Sequence, residues 1–285
     1  MRIGKYQLSS IDTGHFALDG GSMFGVGPRP VWSKIHPPDE IGRIKLALRA
    51  LLIQGEGKNI LVDTGVGRTW SEKMAARYAI CIEEQSVEGA LRAQGLEPED
   101  ITHVIYTHLH MDHAGGGTRP NGAGGIEITF PNAEHFVQKA NLDAATNPNS
   151  RERASYLEEN YQPLLDAQKL TVLDGSQELF PGIHLIMSNG HTTGQQLVLV
   201  QGATEDSVGG VLYCGDLIPT STHVPIPWIM GYDLRPLVLM DEKEELLAQA
   251  IENNWILFYE HDPSVAATHV EKNDRGYRAG SEVIL

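Results

Sequence analysis

Cysteine is nearly absent. The two residues of this type in 285, Cys81 and Cys214, cannot build a disulfide framework, and neither belongs to a Cys-x-x-Cys pair. Cys214 falls in an apolar run and reads as a small buried filler. Long hydrophobic runs are missing too. No stretch approaches the roughly 18 apolar residues of a membrane span, and the opening MRIGKYQLSS lacks the apolar centre of a signal peptide. A reduced, cytoplasmic setting with no membrane partner is the expectation. Positive charge is scarce: 22 Lys and Arg stand against 37 Asp and Glu, a formal net charge of −15. Lys/Arg patches are what grip nucleic acid, so no nucleic-acid partner is expected either. Short-period repeats and low-complexity tracts are also lacking.

What the chain does have is histidine in the right company. In Thr107-His108-Leu109-His110-Met111-Asp112-His113-Ala114-Gly115-Gly116, four metal-competent side chains crowd together. Imidazole and carboxylate are the ligands that suit zinc and its first-row neighbours. His108 and His110 are two apart, so on extended backbone they point the same way. Asp112 and His113 fall where Ala-Gly-Gly lets the chain turn, and side chains there diverge. One short segment can thus feed two metals, His108 and His110 one of them, Asp112 and His113 the other.

The rest of the chain has a regular plan. Apolar segments at 44–53, 59–62, 103–106, 126–130, 133–137, 170–173, 184–187, 196–200, 211–214 and 255–259 read as strands, the last being 255–259. Several lead directly or within a few residues to Asp63, His108, His191, Asp216 and His261, and strand ends are where a mixed sheet presents ligands. Helices are expected at 86–94 with Ser86 as N-cap, at 138–145, at 151–166 with a charged, solvent-facing surface, and at 241–253. The last has Asp241 as N-cap and Glu244 three residues on, a capping-box arrangement. Residues 115–125, rich in glycine, read as a mobile loop beside the site. Periodicity alone supports α/β or α+β. The candidate ligands span 108–261, which favours a single domain over residues 1–285.

The His-x-His-x-Asp-His run, followed in order by Gly190-His191-Thr192, Cys214-Gly215-Asp216 and Glu260-His261-Asp262, resembles the metallo-β-lactamase superfamily over residues 63–261. The resemblance implies a four-layer αββα sandwich with metals at one edge of its two sheets. It implies two divalent ions, zinc first, with manganese or iron as alternatives. His108, His110 and His191 would bind one, Asp112, His113 and His261 the other, and Asp216 would bridge them. Asp63 would steady the ligands from behind, although an Asp before Gly65 also suits a turn. Two such ions activate a bridging water as hydroxide, which attacks a carbonyl or phosphoryl centre. Asp112 and Asp216 are the candidate catalytic carboxylates.

Departures from particular branches narrow the choice. The bridging position is Asp216 rather than the cysteine of the best-known zinc β-lactamases, and His110 stands where flavodiiron oxidoreductases carry Glu. The acidic charge disfavours the nuclease branches, and the short stretch after His261 disfavours glyoxalase II enzymes. The chain resembles most the small-molecule hydrolases that include quorum-quenching lactonases and methyl parathion hydrolase-like enzymes. It lacks the Tyr that lactonases carry soon after the bridging Asp, where Leu217-Ile218-Pro219-Thr220 stand instead. Two loops, 15–43 and 217–240, bring Met23, Phe24, Trp32, His223, Trp228 and Met230 as candidate substrate walls, with a lid or a homodimer interface as the alternative uses. A small ester or lactone with an apolar part is the expected substrate. The rivals are a phosphodiester or phosphotriester on the same site, a mononuclear iron persulfide dioxygenase, and a catalytically silent metal-binding protein.

Overall fold

The structure, a computed structural model, describes residues 1–84, 86–202 and 208–285. The apolar runs of the chain are strands, and many are covered on both faces. Along Arg43–Gly55, Leu51 and Ile53 turn one way while Ala50 and Leu52 turn the other, the alternation of extended backbone. Leu51 and Ile53 join a core shared with Val198 and Val200 of the strand Gln195–Gln201. Ala50 and Leu52 pack with Val87 and Leu91 of the helix Val87–Ala93. Burial on both sides is why these strands read as unbroken hydrophobic runs. Each such Leu or Ile contributes roughly 1.5–3 kcal/mol by leaving water.

The described residues form two seven-stranded sheets, besides the small hairpin sheet of Thr118–Pro120 and Ile126–Ile128. Across the first lie Arg2–Ile3, Tyr6–Asp19, Arg43–Gly55, Lys58–Val62, His103–Ile105, Glu134–Gln138 and Leu170–Leu173. Across the second lie Gln177–Phe180, Ile183–Ser188, Gln195–Gln201, Gly210–Tyr213, Trp255–Phe258, Ala267–Asn273 and Gly276–Glu282. Their facing sides form one core, which includes Ile60 and Val62 from the first and Val211, Tyr213 and Ile256 from the second. Helix Val87–Ala93 covers the outer side of the first sheet, and Leu239, Leu246, Leu247 and Ala250 of helix Pro236–Glu252 cover the second. This is the four-layer αββα arrangement that the resemblance implied.

Parallel pairing sets the ligand positions level. Val62 is opposite Ile105 in one sheet, and Tyr213 is opposite Phe258 in the other. Asp63 and the segment bearing His108 therefore leave adjacent strands at the same end. Asp216 and His261 do likewise.

Several expected elements differ. Residues 151–166 are not one helix: a turn comes first, then the short helix Gln162–Asp166. Its charged look is misleading, since Glu152 is buried. The helix placed at 241–253 starts earlier, at Pro236, because proline at a first helical position gives up no hydrogen bond. Trp255–Phe258 is not the last strand: two more follow, with polar, exposed ends that carry little hydrophobic signal. Residues 115–125 are a buried helical turn at Gly115–Gly117 and part of a hairpin, Thr118–Pro120 with Ile126–Ile128. The stretch 15–43 finishes a strand and then forms two helical turns, Gly20–Phe24 and Arg29–Trp32, that bury Met23, Phe24 and Trp32.

Candidate metal centre

The site is assembled from backbone first. After the strand ends at Ile105 the chain bends at Thr107, which is caught by Asp63: its amide donates to Oδ1 at 2.7 Å and its hydroxyl to Oδ2 at 2.6 Å. Asp63 holds a left-handed conformation, φ 56°, which turns its carboxylate back beneath the motif. Met111–Ala114 then makes one helical turn, and the glycines after it touch the 64–67 loop backbone to backbone. A β-carbon on Gly115 would strike the carbonyl of Val66, and one on Gly116 the carbonyl of Thr64. That close approach lets the Thr64 amide and hydroxyl donate to the His113 carbonyl at 2.8 and 2.9 Å.

Outer hydrogen bonds decide which ring nitrogens face inward. The His261 Nδ1 lies 2.9 Å from the Ala47 carbonyl, which only accepts, so Nδ1 carries the hydrogen. The His191 Nδ1 donates to the Asp233 carboxylate at 3.0 Å, and the His113 Nδ1 to Asp63 at 3.0 Å. The Thr107 hydroxyl has given its hydrogen to Asp63, so it accepts from the His108 Nδ1 at 3.1 Å. Each of these four rings is left with Nε2 pointing into the centre. There His108 Nε2 lies 3.0 Å from His110 Nδ1, His191 Nε2 lies 3.2 Å from the same atom, and His261 Nε2 lies 3.3 Å from His113 Nε2. Lone pairs that meet at such distances repel unless a cation sits among them. Tetrahedral zinc with bonds near 2.0–2.1 Å separates its nitrogen ligands by about 3.3 Å.

The carboxylates complete two sets. His108, His110 and His191 converge on one point and Asp112, His113 and His261 on another; a further group joins His108 and His113 with Asp216. Asp216 sends Oδ2 to His191 Nε2 at 3.2 Å and Oδ1 to His261 Nε2 at 3.2 Å, and Oδ2 is also 3.6 Å from His113 Nε2, so its carboxylate lies between the two sets. Oδ1 is buried without a hydrogen-bond partner. Asp112 stands 3.7 Å from His261 Nε2 and 3.9 Å from His113 Nε2. The seven side chains named as ligands from the motifs are thus brought together, and their donor atoms fit two cations. Asp63 lies behind His113, together with Glu260, whose carboxyl is 2.8 Å from the same Nδ1.

Burial and neighbouring charge act differently on the individual rings of this cluster. Burial drives the His108 imidazole well below its ordinary value, and its histidine neighbours add to the effect. Burial works the same way on His261, but Asp216 and Glu260 overcome it and bring it up to about 9. Burial would push the Asp216 carboxyl up, yet His113, His191 and His261 hold it well below the usual carboxylate range. Burial raises Glu260 to about 8 despite the pull of His113. Ionised carboxylates that stabilise positive charge on several rings at once suit bound cations.

A cleft of about 210 Å³ opens over this centre. Its floor includes His110, Asp112, His191, Asp216 and His261, and its walls include Leu18, Met23, Met230, Tyr78, Tyr232 and Arg151. Of the six residues expected as substrate walls, Met23 and Met230 line it, and Phe24, Trp32, His223 and Trp228 do not. Phe24 stacks on His223 with ring centroids 4.8 Å apart and on Trp32 at 5.3 Å, and Trp228 meets it edge-on at 5.7 Å. These four form a support behind the wall. His223 is held inside it, its Nδ1 accepting from Thr220 at 2.7 Å and its Nε2 donating to the Met23 carbonyl at 2.8 Å; burial pushes its pKa down to about 3. The apolar composition of both loops pointed to them, but only tertiary packing decides which apolar residue faces the cleft. Asp233, Glu152, Arg151 and Tyr232 carried no spacing signal at all. Glu260 did, as the neighbour of His261.

The model of the Metallo-beta-lactamase superfamily matches residues 49–261. An N-acyl homoserine lactonase from Bacillus sp is 30% identical over 230 residues, which cover 77% of this chain and 82% of that protein. A probable metal-dependent hydrolase from Staphylococcus aureus superposes with a TM-score of 0.89 at 30% identity, covering 100% of this chain and 99% of its own. The fold is shared as well with AidC, a dizinc quorum-quenching lactonase solved with its product N-hexnoyl-L-homoserine, at a TM-score of 0.78 and 22% identity over 100% of this chain and 97% of that one. With the motif residues gathered at the ends of the strands, the chain belongs to the metallo-beta-lactamase superfamily and is a metal-dependent hydrolase.

Proposed function

We propose that this hydrolase opens a small ester or lactone bearing an apolar group, with two divalent cations, zinc first, held by His108, His110 and His191 on one side and Asp112, His113 and His261 on the other. Asp216 spans the two. The observation that carries the reading is the cleft: Leu18, Met23 and Met230 rise beside a floor of His110, Asp112, Asp216 and His261. An apolar wall against a few convergent polar groups is the usual make-up of a small-molecule site. When bound, the cations supply activation of a water near neutral pH and polarisation of the substrate carbonyl. The chain's own residues do the rest. The apolar walls seat the acyl part and exclude bulk water. Asp112, on the cleft floor, takes a proton from the attacking water and returns it to the leaving oxygen. Residues 1–285 act as one unit, because ligands from both sheets are needed.

The relatives named N-acyl homoserine lactonases make that class of lactone the first to try. Values of kcat/KM for acyl homoserine lactones, simple aliphatic lactones, aryl esters, phosphotriesters and bis-aryl phosphodiesters, measured on one metal-loaded preparation, test the reading. A lactone or ester should lead. A phosphodiester ahead by more than about tenfold, roughly 1.4 kcal/mol in transition-state preference, would replace it.

A further inference from the structure

Four of the five clustered histidines are oriented from behind by Thr107, Asp63, Asp233 or the Ala47 carbonyl. His110 is the exception. Its Nδ1 faces the centre, and its Nε2, which must then carry the hydrogen, is buried without a hydrogen-bond partner. The group it faces is the Glu152 carboxylate, Oε1 at 3.6 Å, with a side chain only 6% exposed. Glu152 is itself fixed. The Thr192 hydroxyl donates to its Oε1 and the Asn149 amide to its Oε2, and Tyr156 donates in turn to Thr192 at 2.8 Å. Next to it, Arg151 donates to the main-chain carbonyls of Gly231 and Asp233 in the facing wall. That wall carries Asp233, whose Oδ1 holds His191 and whose Oδ2 accepts from the Met230 amide at 2.7 Å. Each wall of the cleft therefore bears one carboxylate aimed at a histidine of the same set, and one guanidinium ties the walls together.

We propose that Glu152 is a positioning residue for His110, so that the turn lining the cleft also sets the geometry of the first cation's ligands. A carboxylate facing the outer nitrogen fixes the ring's tautomer and raises its basicity toward a metal on the other nitrogen. The inference rests on reading His108, His110 and His191 as ligands of one cation. It differs from a purely structural role, in which Glu152 would only anchor the turn through Asn149 and Thr192.

The test is zinc binding by the full chain and its Glu152→Gln and Glu152→Ala variants, measured by competition with a chromophoric chelator, together with the visible spectrum of the cobalt-loaded proteins. Glu152→Gln keeps the shape and an acceptor oxygen, so it remains decisive if Glu152→Ala does not fold. One of the two zinc ions should bind roughly 10- to 100-fold more weakly in the variants, with a shifted cobalt band. Zinc affinities within twofold of the parent and superimposable cobalt spectra would overturn the inference while leaving the dinuclear reading intact. A parent chain that binds only one zinc ion, with cobalt bands that do not report three-histidine ligation, would overturn both.

Discussion

The Asp63 carboxylate lies 3.0 Å from Nδ1 of His113, and the same carboxylate takes two hydrogen bonds from Thr107. One side chain thus orients a candidate ligand and anchors the start of the motif. Asp63→Ala should lower metal affinity or kcat/KM by roughly 10- to 100-fold, the usual effect of losing such a partner. Its φ of 56° complicates the alanine, which resists that backbone. Asp63→Asn tolerates the conformation but removes the charge. If Asn retains full metal content and activity, the carboxylate's charge is not what matters.

Asp216 is the residue whose loss should be worst. Asp216→Ala would leave the two proposed cations facing one another with less intervening negative charge. We expect one metal lost per chain and a rate lower by several orders of magnitude, since water activation depends on the pair. Elemental analysis should find about two metals per parent chain, and a strong chelator should abolish turnover reversibly. A parent ratio of one after reloading would contradict the paired site.

Acid should weaken the fold partly through His135, which is not among the candidate metal ligands. It is buried, with Nδ1 3.1 Å from the Tyr106 hydroxyl and Nε2 unpartnered, and burial pushes its pKa down to about 4. The unfolded chain takes up this proton first, near pH 6.5. Stability therefore falls as pH drops below about 6.5, and the loss continues until the folded pKa near 4 is reached. Between pH 7 and 5 the cost is on the order of 1–2 kcal/mol. His135→Phe should remove that much of the pH dependence of the unfolding free energy measured in urea, relative to the parent.

Lys243 is fully buried, and its ammonium donates to the carbonyls of His223, Pro225 and Trp228 at 3.0, 3.2 and 2.7 Å. Lys243→Met keeps the length but strands three acceptors. The expected cost is about 2–4 kcal/mol, read as a lower denaturant midpoint. Because these carbonyls belong to the support behind the cleft wall, KM should rise more than kcat falls.

The candidate ligands were legible because most of them follow an apolar run that reads as a strand, and His-x-His-x-Asp-His is a specific pattern. Asp63 was legible for the same positional reason. Glu152 was not. Arg151, Glu152 and Arg153 together look like a solvated face, and nothing local says that a turn will fold the middle one inward. Phe24 and Trp32 were misplaced by one layer, since hydrophobicity says that a side chain is buried but not which side of a wall it is on. The strands Ala267–Asn273 and Gly276–Glu282 escaped because their outer residues are polar. Asp241 and Glu244 mimicked a helix start inside a helix already begun at Pro236.

The motif His108 to His113 hangs from one sheet, while His191, Asp216 and His261 hang from the other. A cation in either set would be gripped by both halves of the sandwich, and so would act as a rivet between them. Separating the sheets would release the ions, which ties the melting temperature to free metal by mass action: a concentration a hundredfold above the dissociation constant adds about 2.7 kcal/mol per site. The temperature at which this protein comes apart would then report the metal supply around it.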